Sequence, residues 1–118
     1  MFHGNISNIT EKNNYFRRVV NTTPNMQLVV MSLNPLEEIG LEVHPYITQF
    51  FRIEKGHGIA IVDDKKYYLK EDSVVIVPLN TIHNIINTSK TEKLKFYTIY
   101  SPPEHPADKI DKIKPVDH

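Results

Sequence analysis

The chain has 118 residues, with 14 lysines and arginines set against 14 aspartates and glutamates, and no cysteine. That length suffices for one domain with one modest core. The balanced charge removes the electrostatic case for a nucleic acid or membrane-surface partner, and the lack of cysteine excludes disulfides, thiolate metal sites and cysteine nucleophiles.

The first residues, Met1-Phe2-His3-Gly4-Asn5, form neither a basic leader nor a long apolar run, and no stretch approaches the ~20 apolar residues of a membrane span. The expectation is a cytoplasmic protein. Four glycosylation patterns begin at Asn5, Asn8, Asn21 and Asn87; without a leader they read as the by-product of an asparagine-rich sequence. Residues 1–14 are polar, lack a sustained period and read as a flexible arm. Short strands follow at 16–20 and 27–33, separated by the Asn21-Thr22-Thr23-Pro24-Asn25 turn cluster. A third is expected over 38–44 and a fourth over 49–54, then a tight turn through Gly56 and Gly58. Residues 59–62 and 66–69 flank Asp63-Asp64-Lys65 as a hairpin. Strands at 73–78, 83–87 and 94–100 complete the set. Many short strands at intervals of roughly 8–12 residues, with no helical period, point to an all-β sandwich or barrel. Beyond Tyr100, Ser101-Pro102-Pro103-Glu104-His105-Pro106 reads as stiff and extended, and 107–118 as a loosely held tail. The domain proper is expected to span 15–106.

The candidate site comes from two stretches. Glu42 and His44 are two apart, and alternate strand residues share a face. Gln49 opens the next apolar run after the Pro45 bend, and His83 stands at the start of a later strand. Two imidazoles, one carboxylate and one amide are a reasonable donor set for a divalent metal. Gln49 also reads as a residue that holds a water or orients His44. Phe51 shares the parity of Gln49 and either lines the pocket or belongs to the core. Arg52 has the opposite parity and should face away. Tyr97 and Tyr100 lie on opposite faces of the last strand, so one should face inward. His57 in its Gly-flanked turn reads as solvated, while His3 and His118, near the termini, carry no signal. His105 belongs to a segment able to fold over a barrel mouth, although a loop histidine is the plainer reading.

These two stretches resemble the paired motifs of the cupins. The first motif, a glycine, His-x-His, Glu and a closing Gly, is matched by Leu36, Glu42-x-His44, Gln49 and Gly56. The second, Pro-x-Gly-x-x-His-x-x-x-Asn, is matched by Pro78, Asn80, His83 and Asn87. Glu42 replaces a histidine and Gln49 the glutamate, so the ligand charge is kept but moved across the site. Asn80 replaces a turn glycine, and Asn tolerates positive φ better than most residues. The resemblance implies a double-sheet jelly roll, one divalent ion (Zn, Mn, Fe or Ni) on Glu42, His44, Gln49 and His83, a small-molecule ligand, and a homodimer in which the N-terminal arm crosses over. Phosphomannose isomerases, also cupins, use a related set with Glu and Gln exchanged, so an isomerase-like activity on a sugar or sugar phosphate is one expectation. Oxygen chemistry at a two-His-one-carboxylate iron is another. The alternatives are a non-catalytic module that binds a small ligand and a structural cupin. No catalytic base is evident, and fold alone does not select among these chemistries.

Overall fold

The computed structural model describes residues 1–116; Asp117 and His118, part of the expected tail, lie outside the described residues. In chain order the elements are α1 (Ile6–Lys12), β1 (Arg17–Thr22), β2 (Gln27–Leu33), β3 (Thr48–Lys55), β4 (Gly58–Val62), β5 (Lys65–Leu69), β6 (Val74–Val77), β7 (His83–Asn87), β8 (Leu94–Ser101) and β9 (Ile110–Asp111). All strand pairs are antiparallel. They form a six-stranded sheet in the order β6-β3-β8-β2-β1-β9 and a three-stranded sheet in the order β5-β4-β7. This is the all-β jelly roll expected from strand spacing and motif pattern.

Period-two alternation builds the interior. Gln49, Phe51 and Ile53 of β3 are buried, and they pair across β8 with Tyr100, Thr98 and Phe96. On the other side of β8, the same inward face continues through Gln27, Val29, Met31 and Leu33 of β2. The deep half of this space is filled by Met31, Leu33, Phe51, Ile53, Leu94 and Phe96, joined by Ala60 and Ile85 from the smaller sheet. At the other end the inward residues become polar: Gln27, Gln49, Thr98 and Tyr100. Alternation thus gives the barrel an apolar floor and a polar mouth. Arg52, of opposite parity, faces outward and pairs with Glu54 and Asp72.

Motif residues without metal-donor chemistry hold the loops. Asn87 donates from Nδ2 to the carbonyls of Leu33, Asn34 and Glu92 and accepts from Ser89 N–H, tying three chain segments together. Asn80 adopts φ of +58°, the value anticipated for a residue in the turn-glycine position, and Leu36, in the other substituted glycine position, has φ of +64°. Gly56 has φ of +92°, and a Cβ there would lie 2.4 Å from the Lys93 carbonyl oxygen.

Three expectations differ from the structure. Residues 38–44 are not a continuous strand; they make only two isolated bridges, Glu38 to Ile86 and Glu42 to His83. Gly40 between them has φ of +108°, outside the β region, and its N–H is taken by Asn84 Oδ1 at 2.8 Å. The N-terminal segment contains a helix. Asn5 caps it by accepting from Asn8 N–H, and the Lys95 ammonium, on the outer face of β8, donates to the Glu11 carbonyl at 2.6 Å, a favourable place for a cation near a helix C-terminus. The arm therefore packs on its own sheet. In the C-terminal segment, β9 pairs with β1, and Asp111 accepts from Arg17 Nη1 at 2.8 Å.

Candidate metal centre

Backbone pairing sets the site. Glu42 and His83 exchange both of their N–H···O bonds at 2.9 Å, and Asn80 N–H donates to the His44 carbonyl at 2.7 Å. The irregular segment around Glu42 and His44 is thereby fastened to the entry of β7. One donor atom each from Glu42, His44 and His83 lies within 4.8 Å of the others. Gln49 approaches from β3, with Oε1 3.2 Å from His83 Nε2.

The tautomer of each neutral imidazole follows from its partner. His83 Nδ1 is 2.9 Å from the Thr81 carbonyl, which can only accept, so Nδ1 carries the hydrogen and Nε2 presents its lone pair inward. His44 Nδ1 is 3.0 Å from a Glu104 carboxylate oxygen, which fixes the same tautomer. His44 Nε2 is buried without any hydrogen-bond partner among the described residues. Burial pushes the His83 pKa down, against the opposing pull of the Thr81 carbonyl and the Glu42 carboxylate, so the ring is neutral at pH 7.

Two lone pairs aimed at one space are costly in a dry interior unless something electropositive lies between them. Gln49 adds a third: its Nε2 donates to Thr98 Oγ1 at 2.9 Å, which leaves its carbonyl oxygen facing His83 Nε2. Donors bound at ~2.1 Å to one ion and ~90–110° apart sit about 3.0–3.4 Å from each other, and the 3.2 Å separation of Oε1 and Nε2 falls in that range. The donor chemistry fits a divalent cation. Gln49 Nε2 is committed to Thr98 and its Oε1 faces His83, and among the described residues no hydrogen bond joins it to His44.

Glu104 and Gln27 escaped the sequence reading. Glu104 arrives on the strap that leaves β8, and its carboxylate on His44 is the outer partner a metal-binding histidine commonly has. Gln27, fully buried on β2, holds that strap: Oε1 accepts from Glu104 and His105 N–H at 3.2 and 2.9 Å, while Nε2 donates to the His105 carbonyl at 2.8 Å. A polar residue at the inward parity of an otherwise apolar strand was the available signal for Gln27. Nothing local marked Glu104, whose partner lies 60 positions upstream.

The strap covers the mouth, as considered for His105. That ring packs edge-on against Tyr100 with centroids 5.1 Å apart, and its Nε2 lies 3.3 Å from the Tyr100 hydroxyl. Burial, with the nearby Glu42 carboxylate, raises the Tyr100 pKa and keeps the phenol protonated. Burial and then the Arg17 charge push His105 down to about 4. An unfolded histidine titrates near 6.5. Between that pH and about 4 the unfolded chain therefore binds the extra proton. Stability is full above this window and falls as pH drops through it. We expect the urea midpoint to fall from pH 6.5 toward 4 and His105→Gln to flatten that fall, leaving the part that belongs to His83. An identical slope in the variant would refute the assignment.

Beside Glu42 and His44 opens a cavity of about 430 Å³, also lined by Arg17, Glu104, His105 and Lys109. Another, of about 470 Å³, lies between α1 and β1 and is lined mainly by asparagines, Lys12 and Arg18. It contains no histidine or carboxylate.

Comparison with known proteins agrees with this architecture. The cupin domain family matches residues 29–100, from β2 to β8. Protein L612 of Acanthamoeba polyphaga mimivirus is 48% identical over 114 residues, covering 94% of this chain and 71% of L612. YrkC of Bacillus subtilis (strain 168) is 43% identical over 116 residues, covering 93% of this chain and 62% of YrkC, so the chain spans less than two thirds of that relative. The crystal structure of BH2720 from Bacillus halodurans matches with a TM-score of 0.93 at 35% identity, covering 96% of this chain and 89% of that one. The chain belongs to the cupin family.

Proposed function

We propose that the protein binds one divalent metal ion through Glu42, His44 and His83, with Gln49 as a fourth, weaker donor, and presents it to a small molecule in the adjoining cavity. The observation that carries this reading is the pair of inward Nε2 lone pairs, fixed by Thr81 and Glu104 and lying beside a carboxylate. Two imidazoles and one carboxylate suit Fe, Mn, Zn or Ni and leave coordination positions open. A bound ion supplies polarisation of a ligand oxygen or, in the case of iron, oxygen chemistry. The chain's own residues orient the imidazoles, keep the Tyr100 phenol protonated and roof the mouth with the strap.

At the polar mouth the Glu104 carboxylate is committed to His44 Nδ1, which leaves His105 and Tyr100 as the candidates for a base. One is pushed down to about 4 and the other upward, so neither is poised as a general base at neutral pH. This disfavours an isomerase-like reaction by side-chain proton abstraction. It favours chemistry centred on the ion or, as the second reading, ligand binding without turnover. We further propose a homodimer through the exposed edge strand β6, where Val74 and Ile76 face solvent.

Elemental analysis of gently purified protein tests the metal reading. We expect about one first-row metal ion per chain, removable by chelator and restorable, with light scattering of the same sample giving twice the chain mass. Absence of metal, together with no uptake of Zn, Mn, Fe or Ni, would overturn the metal reading, and a monomer at high micromolar concentration would overturn the dimer.

A further inference from the structure

Arg17 is only 4% exposed yet lies at the wall of the cavity that reaches Glu42 and His44. Its position follows from β1: Arg17 pairs with Met31, whose side chain is part of the core, so the guanidinium starts from the inward face of the sheet. Nη1 is taken by Asp111. Nε is buried without a hydrogen-bond partner among the described residues. A guanidinium has five N–H donors in a planar fork, and a buried donor left unpaired is costly. Lys109 reaches the same cavity from the strap, 3.4 Å from the other oxygen of Asp111. Asp111 thus anchors two cations but balances only one.

Charge around the mouth decides what can enter. Arg17 and Lys109 stand against Glu42, Glu104 and Asp111, so the metal-free site carries one net negative charge. A divalent ion reverses it to one net positive charge. The loaded site then suits a monoanion and the empty site repels it. A dianion such as phosphate would overshoot. The free edge of the guanidinium, running from Nε, has the planar fork geometry that matches a carboxylate. The cavity volume lies within the range usual for small-ligand sites.

We infer that the mouth is a binding site for a small monocarboxylate carrying a second oxygen, with the carboxylate on Arg17 and Lys109 and the second oxygen directed toward Glu42, His44 and His83. This rests on the metal reading above and adds the ligand class to it. Charge selection then follows from the chain's own residues, and occupancy by ligand depends on prior occupancy by metal.

The test uses full-length protein loaded with Zn, its metal content measured first, and titrated calorimetrically with lactate, propane-1,2-diol and inorganic phosphate. We expect lactate to bind the loaded protein, to bind the chelated protein at least about tenfold more weakly, and to outcompete both the uncharged diol and phosphate. Arg17→Lys, which keeps the charge but loses the fork, should weaken lactate at least about tenfold with zinc content unchanged. Lys109→Met, at a more exposed position that does not threaten folding, should weaken it several-fold. Zinc bound with no lactate binding, or with the diol or phosphate binding as tightly as lactate, overturns this inference and leaves the metal reading standing. Lactate affinity unchanged in both variants also overturns it. Failure to bind zinc or any other divalent ion overturns both.

Discussion

Replacing His83 by alanine is expected to lower divalent-metal affinity by at least about a hundredfold, since loss of outer hydrogen-bond partners alone commonly costs 10–100-fold and this change removes a donor. The imidazole is one of only two nitrogens in the cluster. It is neutral at pH 7 because burial disfavours its charged form, and its Nδ1–H is already committed to Thr81. Neither neighbour on the inward face of the large sheet replaces it. Gln49 offers an amide oxygen, and Tyr100 keeps its proton because burial raises its pKa. His83→Gln serves as a control that fills the space while removing the imidazole. Chelator competition measures affinity, and circular dichroism checks that both variants keep the strand signature. Affinity within threefold of the parent in a folded variant would show that the ion, if bound, lies elsewhere.

Phe51→Ala should destabilise the protein by about 3–5 kcal/mol, the usual cost of emptying a buried aromatic site. Phe51 is fully buried on β3, where it packs against Phe96 at 5.9 Å and against the His83 ring at 6.1 Å between centroids. It therefore marks the boundary between the apolar floor and the polar mouth. The variant should lose urea midpoint with little change in slope, and the loosened His83 should weaken metal binding as well. A stability loss under about 1 kcal/mol would mean that the surrounding side chains collapse into the space, contrary to the close packing seen there.

The strands and the second motif were legible because their signals are local. Alternation in Gln49, Phe51 and Ile53 needs no tertiary information, and the positive φ of Asn80 was readable from residue type and motif position. Glu42 and His44 do come together, although by a different route than the one expected. Strand parity suggested their convergence, whereas two bridges and a left-handed Gly40 deliver it. Helix α1 left almost no trace in the sequence. It is seven residues long, Thr10 is its one buried residue, and isoleucine, serine, asparagine and threonine are weak helix formers. Its stability comes from the cap at Asn5 and from Lys95, 84 positions away. Strand β9 was hidden because two residues cannot show a period. Glu104 and Arg17 were missed because both owe their roles to the strap closing over the mouth, a long-range event that no window of sequence contains.

The strap also decides where a purification handle belongs. Pro115 lines the cavity beside Glu42 and His44, so a polyhistidine segment attached close behind it would bring its imidazoles toward the proposed ion. Its imidazoles would compete for that ion and inflate apparent stoichiometry. Met1 and Phe2 instead line a cavity with Asn21, Met26 and Leu28. Leu28 has the outward parity on β2, so an N-terminal tag starts behind the sheet, on the side away from the donors.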